Sequence, residues 1–92
     1  MISDTKPPSP NSPYMKQILH RFKAEGCVCQ IDPTNRWRIY PPLKGETWKL
    51  QQDGDRWILL ISQKPQISLT SNEAVAFVKR RLQALLHIGI SP

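Results

Sequence analysis

The sequence predicts an α+β fold: a two-layer α-β-β-β(-β)-α sandwich in which an antiparallel sheet of three to four strands takes both helices on one face. Three observations lead there. Residues 47–61, TWKLQQDGDRWILLI, hold two apolar strand patterns separated by Asp53-Gly54. This is a strong hairpin signal, because the tight turn needs φ > 0 and Gly supplies it at little cost. Upstream, Met15, Ile18, Leu19 and Phe22 fall at i, i+3, i+4 and i+7, the apolar stripe of an amphipathic helix. Downstream, Thr70 is followed three residues later by Glu73, a capping box that opens a second helix.

Taken in order, residues 1–12 place Pro7, Pro8 and Pro10 among Ser, Asn, Thr and Asp without any apolar period. They are expected to be a disordered tail, which leaves residues 13–90 as a single α+β domain. A domain of roughly 75–80 residues has room for one core and none for a cleft between two. Ser12 serves as N-cap and Pro13 as the first helical residue, where a missing N–H costs nothing, and Gly26 closes the helix. Lys16, His20 and Lys23 repeat the helical spacing on its outer side as a basic ridge.

Residues 27–31, CVCQI, read as a strand, DPTN at 32–35 as a turn, and RWRIY at 36–40 as the next strand, ended by Pro41-Pro42. Strict alternation sends Trp37 and Ile39 to one face and Arg36, Arg38 and Tyr40 to the other. The following strand repeats the pattern, with Trp48 and Leu50 opposed to Lys49 and Gln51. Residues 56–62 are apolar at nearly every position, which marks a strand with neighbours on both sides, expected at the centre. Lys64-Pro65-Gln66 is expected to bend the chain into a short edge strand at 67–70, where a nearby proline is tolerated.

The last helix turns Ala74, Val75, Phe77, Val78, Leu82, Leu85 and Leu86 inward and Ala76, Lys79, Arg80, Gln83 and His87 outward, ending near Gly89. Arg81 projects from the middle of the apolar arc, where an unpaired charge is costly. It snorkels past a short neighbour, which is the preferred explanation, or pairs with a carboxylate such as Asp32 or Glu46, or marks an arc left open for a partner. Each of the three tryptophans is in phase with the aliphatic residues of its own strand, which assigns them to the core.

Thirteen Lys and Arg against seven Asp and Glu give a net charge of +6, favouring nucleic acid, an anionic membrane surface or an acidic protein patch as partner. Nothing approaches the ~20 apolar residues of a membrane span, and no apolar signal core opens the chain. With only Cys27 and Cys29, two apart and too far separated along a strand to bridge easily, the expectation is a cytoplasmic protein with free thiols packed as small hydrophobes. Only His20 and His87 stand as further obvious donors, so neither a metal nor a cofactor is expected. Gly-rich phosphate loops, H-E-x-x-H, G-x-S-x-G and C-x-x-C are absent, and the carboxylates are spread singly except for Asp53 and Asp55 at the hairpin turn. No catalytic residue is assigned.

Residues 19–42, LHRFKAEGCVCQIDPTNRWRIYPP, combine a glycine at the helix exit with a prolyl strand end. They are similar to the first helix and hairpin of HicA-type RNA-cleaving toxins, and the element order resembles the double-stranded RNA-binding-domain-like fold that those toxins share. The resemblance implies that layout and an RNA partner. Where the toxins open the second strand with a catalytic histidine, this chain has Arg36 and Trp37. Where the RNA-binding domain opens its last helix with lysines, this chain has Ser71-Asn72-Glu73-Ala74. A cleaving variant would depend on His20 as its base.

The favoured function is a small, basic, non-catalytic module for nucleic acid, RNA before DNA. Arg36, Arg38, Tyr40 and Lys49 would form the sheet site, with Lys79 and Arg80 as a second patch. Cations neutralise phosphates while an exposed ring stacks a base. The alternative is an interaction or assembly factor, a homodimer among the options, that docks through the C-terminal helix or an edge strand, with Arg81, Leu86 and Ile88 at the contact.

Overall fold

In the computed structural model, which describes residues 13–89, the chain runs through α1 (Pro13–Ala24), β1 (Val28–Ile31), β2 (Trp37–Tyr40), β3 (Trp48–Asp53), β4 (Arg56–Ile61), β5 (Lys64–Thr70) and α2 (Ser71–Gly89). Every strand is antiparallel to its predecessor, and the sheet order β1-β2-β3-β4-β5 is an uninterrupted meander. Short connections enforce this, since parallel neighbours need a long crossover. The predicted two-layer α+β sandwich is the fold observed. Five strands are present where three to four were expected, and the edge strand is the whole of 64–70, not 67–70 alone. The middle strand is β3, and β4 lies one place further out, flanked on both sides as its apolar run implied.

Alternation along the strands sorts the two faces. Ile39, Trp48, Leu50, Trp57 and Leu59 are buried on one face beneath Met15, Ile18, Leu19 and Phe22 of α1 and Ala74, Val75 and Val78 of α2. The rings interlock edge to face, Phe22 on Trp57 and Trp48 on Phe77, with centroids 5.2 Å apart in both pairs. The two indoles on β3 and β4 are also satisfied as donors. Trp57 Nε1 donates to Ser71 Oγ at 3.1 Å and Trp48 Nε1 to Glu46 Oε1 at 2.9 Å. Gln52, also buried, accepts from the Trp37 backbone N–H and donates to the Gly54 carbonyl, closing the ladder where β2 and β3 part.

The helix ends follow local chemistry. Ser12, the expected N-cap of α1, and the tail before it lie outside the described residues. At the other end Cys27 N donates to Phe22 O and Gly26 N to Lys23 O, the paired bonds of a Schellman cap, with Gly26 at φ +90°. Thr70 and Glu73 exchange the two bonds of the predicted capping box, so β5 passes straight into α2. No described helix is long and apolar enough to cross a membrane.

The β3–β4 and β4–β5 turns differ from the sequence expectation. Asp53 pairs with Arg56, so the first loop is Gly54-Asp55, not Asp53-Gly54, with positive φ at its first residue alone. The second turn is Ser62-Gln63, and Lys64-Pro65-Gln66 belongs to β5 rather than forming a bend. Pro65 is accommodated because β5 is an edge strand and a register shift opposite Leu59/Leu60 absorbs the irregularity. Ser62 and Gln63 both take left-handed conformations, φ 50° and 69°. That suits the twist of a two-residue hairpin but calls for Asn-Gly, since L side chains there cost roughly 1–2 kcal/mol each. Combining Ser62→Asn with Gln63→Gly is therefore expected to stabilise the fold by about 1 kcal/mol, after the extra chain entropy of glycine, raising Tm by ~4–8 °C in a thermal melt. An unchanged or lower Tm would show that the turn is unstrained.

Candidate nucleic-acid interface

The face of the sheet opposite the helices carries Val28 and Gln30 from β1, Arg38 and Tyr40 from β2, Lys49 and Gln51 from β3, and Ile58 and Leu60 from β4. Register aligns them in two rows. Val28 pairs with Tyr40 and Lys49 with Leu60 in one; Gln30, Arg38, Gln51, Ile58 and Ser68 pair successively in the other. An antiparallel sheet tolerates such a half-solvated face, and here it mixes cations, amides and aliphatics around a single ring.

That ring is held on two sides. The Lys49 ammonium lies 5.6 Å from the Tyr40 ring centroid, a cation–π contact. The Arg38 guanidinium donates through Nε to Asp32 Oδ2 at 3.0 Å; the Tyr40 side chain beside it first, and then Asp32, raise its pKa above the usual guanidinium value. Asp32 owes its position to the β1–β2 turn. Its Oδ1 accepts from Thr34 Oγ1 at 2.6 Å, Thr34 N at 2.9 Å and Arg36 N at 3.0 Å. The Thr34 hydroxyl first, then the Arg36 and Thr34 amides and the Arg38 charge, bring the Asp32 pKa down to about 2.

A carboxylate lowered on folding stabilises the native state above its unfolded pKa of about 3.9, and that contribution is lost as pH falls through the folded value. A carbon-detected titration of Asp32 is expected to give a midpoint of about 2, with the β1–β2 hairpin intact at pH 4. A midpoint near 3.9, the ordinary carboxylate value, would mean that the turn hydrogen bonds to Asp32, the Thr34 hydroxyl's first, are not formed.

Tyr40 is also the shared wall of two grooves. One, of about 210 Å³, is bounded by Gln30, Asp32 and Arg38. The other, of about 330 Å³, runs past Pro41, Thr47 and Lys49 to the Ser62-Gln63 turn.

The structure thus brings Arg38, Tyr40 and Lys49 together and separates the remaining predicted residues from them. Arg36 precedes β2 instead of lying on it, because its amide is captured by Asp32, and its side chain is exposed at the rim. Lys79 and Arg80 are exposed on α2, in the opposite layer, so the two proposed patches are not one surface. Lys79 lies 4.0 Å from Glu25. His20 is exposed on the outer side of α1, likewise in the helix layer.

Arg81 does not merely snorkel. It makes a two-pronged pair with Glu46, Nε to Oε1 at 2.7 Å and the second nitrogen to Oε2 at 3.1 Å, which is how a charge is tolerated at the border of the apolar arc. Leu86 and Ile88 lie where side chains are outside the described residues. Cys27 is buried and Cys29 partly so; burial, with the Cys29 and Glu25 charges, pushes the Cys27 thiol up to about 12. Among the described residues no three His, Cys, Asp or Glu side chains gather into a possible metal cluster.

Sequence reasoning missed Asp32 as the residue that positions Arg38, and Ser62 and Gln63 as groove residues. The Asp-Pro-Thr-Asn run signals the turn in which Asp32 sits, but its reach to Arg38 depends on hairpin register. Comparison with protein-family models, curated proteins and solved structures finds no match.

Proposed function

We propose that the chain is a non-catalytic nucleic-acid-binding module, for RNA before DNA, working through the helix-free face of its sheet. The observation that carries this is Tyr40 held between Arg38 and Lys49 on the five-stranded face that neither helix covers among the described residues. A ring on an open sheet face can stack a base, and the two cations beside it suit the flanking phosphates. Asp32 keeps Arg38 preorganised by engaging its Nε. Lys79 and Arg80, in the other layer, add long-range attraction and no direct contact to this site.

The test is fluorescence anisotropy with labelled single-stranded RNA, duplex RNA and duplex DNA at low and physiological salt. RNA binding is expected to persist at physiological salt. In Arg38→Ala with Lys49→Ala it weakens, and the salt slope drops by about 1.4 for a single strand, two contacts at ~0.7 each. Equal, weak binding to all three probes that disappears with salt would refute the proposal.

A second reading, self-association through a sheet edge, is favoured by Ile67, which is 53% exposed on edge strand β5. It predicts a concentration-dependent mass in sedimentation that Ile67→Lys abolishes.

A further inference from the structure

We infer that the larger of the two grooves, between Tyr40 and the Ser62-Gln63 turn, seats an unpaired RNA base whose edge is read by the Gln63 carboxamide. The inference rests on the sheet-face reading above and narrows it to single-stranded RNA.

Four observations converge. The β4–β5 turn places two consecutive non-glycine residues in the left-handed region, where Asn-Gly would fit without strain, and the side chains retained there both line the groove. Retaining such strain beside a cavity is what a contact role requires and a plain connector does not. The groove also has the parts a base needs: the Tyr40 ring as one wall, the Lys49 ammonium beside it, and the Ser62-Gln63 turn along its lining.

Next, the polar groups around the groove are unevenly committed. Glu46 is spent on Arg81 and on the Trp48 indole, whereas Gln63 is exposed and its carboxamide has no hydrogen-bond partner among the described residues. A carboxamide supplies both donor and acceptor, which is what reading a base edge takes. Finally, Ser62 N–H donates to Thr47 O at 3.0 Å, which ties the turn to the start of β3 and fixes Gln63 relative to Lys49. Only an unpaired base can be splayed into such a groove; a duplex keeps its bases stacked inside.

The test measures binding and stability together. Labelled eight-nucleotide single strands of A, C or U, and an RNA duplex of mixed sequence, are titrated with the full chain, with Gln63→Gly, and with Gln63→Glu, which keeps the side-chain length but loses the donor. Gln63→Gly is expected to raise Tm while weakening the preferred single strand at least fivefold and narrowing the differences among the three octamers. Gln63→Glu is expected to weaken the same octamer without raising Tm. A Gln63→Gly protein with higher Tm and unchanged affinity and preference would reduce the turn to a connector and overturn the inference. Wild-type binding to the duplex alone would overturn it together with the stacking of a base on Tyr40, leaving the sheet face only the phosphate contacts of Arg38 and Lys49. Absence of binding to every RNA would overturn both.

Discussion

Replacing Trp57 with alanine is expected to remove about 3–5 kcal/mol of stability, the largest loss from any single substitution in this chain. Trp57 is the largest side chain with no exposed surface, and it touches both layers: its ring meets Phe22 of α1 edge to face, and its indole N–H reaches Ser71 at the start of α2. Truncation leaves a cavity where the two helices meet the sheet and deprives Ser71 of its donor. A domain of this size holds only ~4–12 kcal/mol in total, so the variant is expected to populate the unfolded state measurably at 25 °C. Urea denaturation reads this as a much lower midpoint at similar slope. Trp57→Phe keeps an aromatic edge against Phe22 and is expected to lose less. A loss below 1 kcal/mol in Trp57→Ala would mean that the core is not organised around this residue.

Replacing Tyr40 with alanine is expected to weaken single-stranded RNA binding by roughly 5- to 150-fold, the 1–3 kcal/mol of one base–aromatic stack. Tyr40 is only partly buried and lies on the open face, so the domain stays folded and the effect is separable from stability. Tyr40→Phe retains the stacking plane but leaves Asp32 as the partner that holds Arg38, and is expected to bind nearly as well with a stronger response to Asp32→Asn. Equal affinity in wild type and Tyr40→Ala would remove the ring from the site and reduce the sheet face to a solvated surface.

Much of the architecture was legible in the residues. The two helices, their apolar stripes, the capping box and the alternation that sorts Trp48 and Leu50 from Lys49 and Gln51 all follow from short-range periodicity. Turn placement was less so. A two-residue loop at 53–54 or at 54–55 leaves every side chain of the hairpin on the same face, so the hydrophobic pattern does not choose between them. The structure chooses Gly54-Asp55 through the pairing of Asp53 with Arg56. Pro65 suggested a bend because a proline breaks a central strand; on an edge strand with a register shift it does not.

The site was half legible. Arg38, Tyr40 and Lys49 share a face by parity alone, which a sequence displays. That Lys79 and Arg80 fall in the other layer also follows from parity once both helices cover the apolar face. The partners that decide what each charge does are set by tertiary pairing rather than by sequence spacing. Asp32 meets Arg38 across a hairpin, and Glu46 meets Arg81 across 35 positions. Among the carboxylates named for Arg81 beforehand, only tertiary geometry picks Glu46 and leaves Asp32 to the sheet site.

The most direct test is an amide nuclear magnetic resonance titration of the full chain with single-stranded RNA at physiological salt. The account predicts perturbations confined to the open face and its rim: Arg38, Tyr40, Lys49, Gln51, Leu60 and the Ser62-Gln63 turn, with Lys16, Lys79 and Arg80 unmoved. Perturbations centred on the helix layer, with Tyr40 and Lys49 silent, would contradict it.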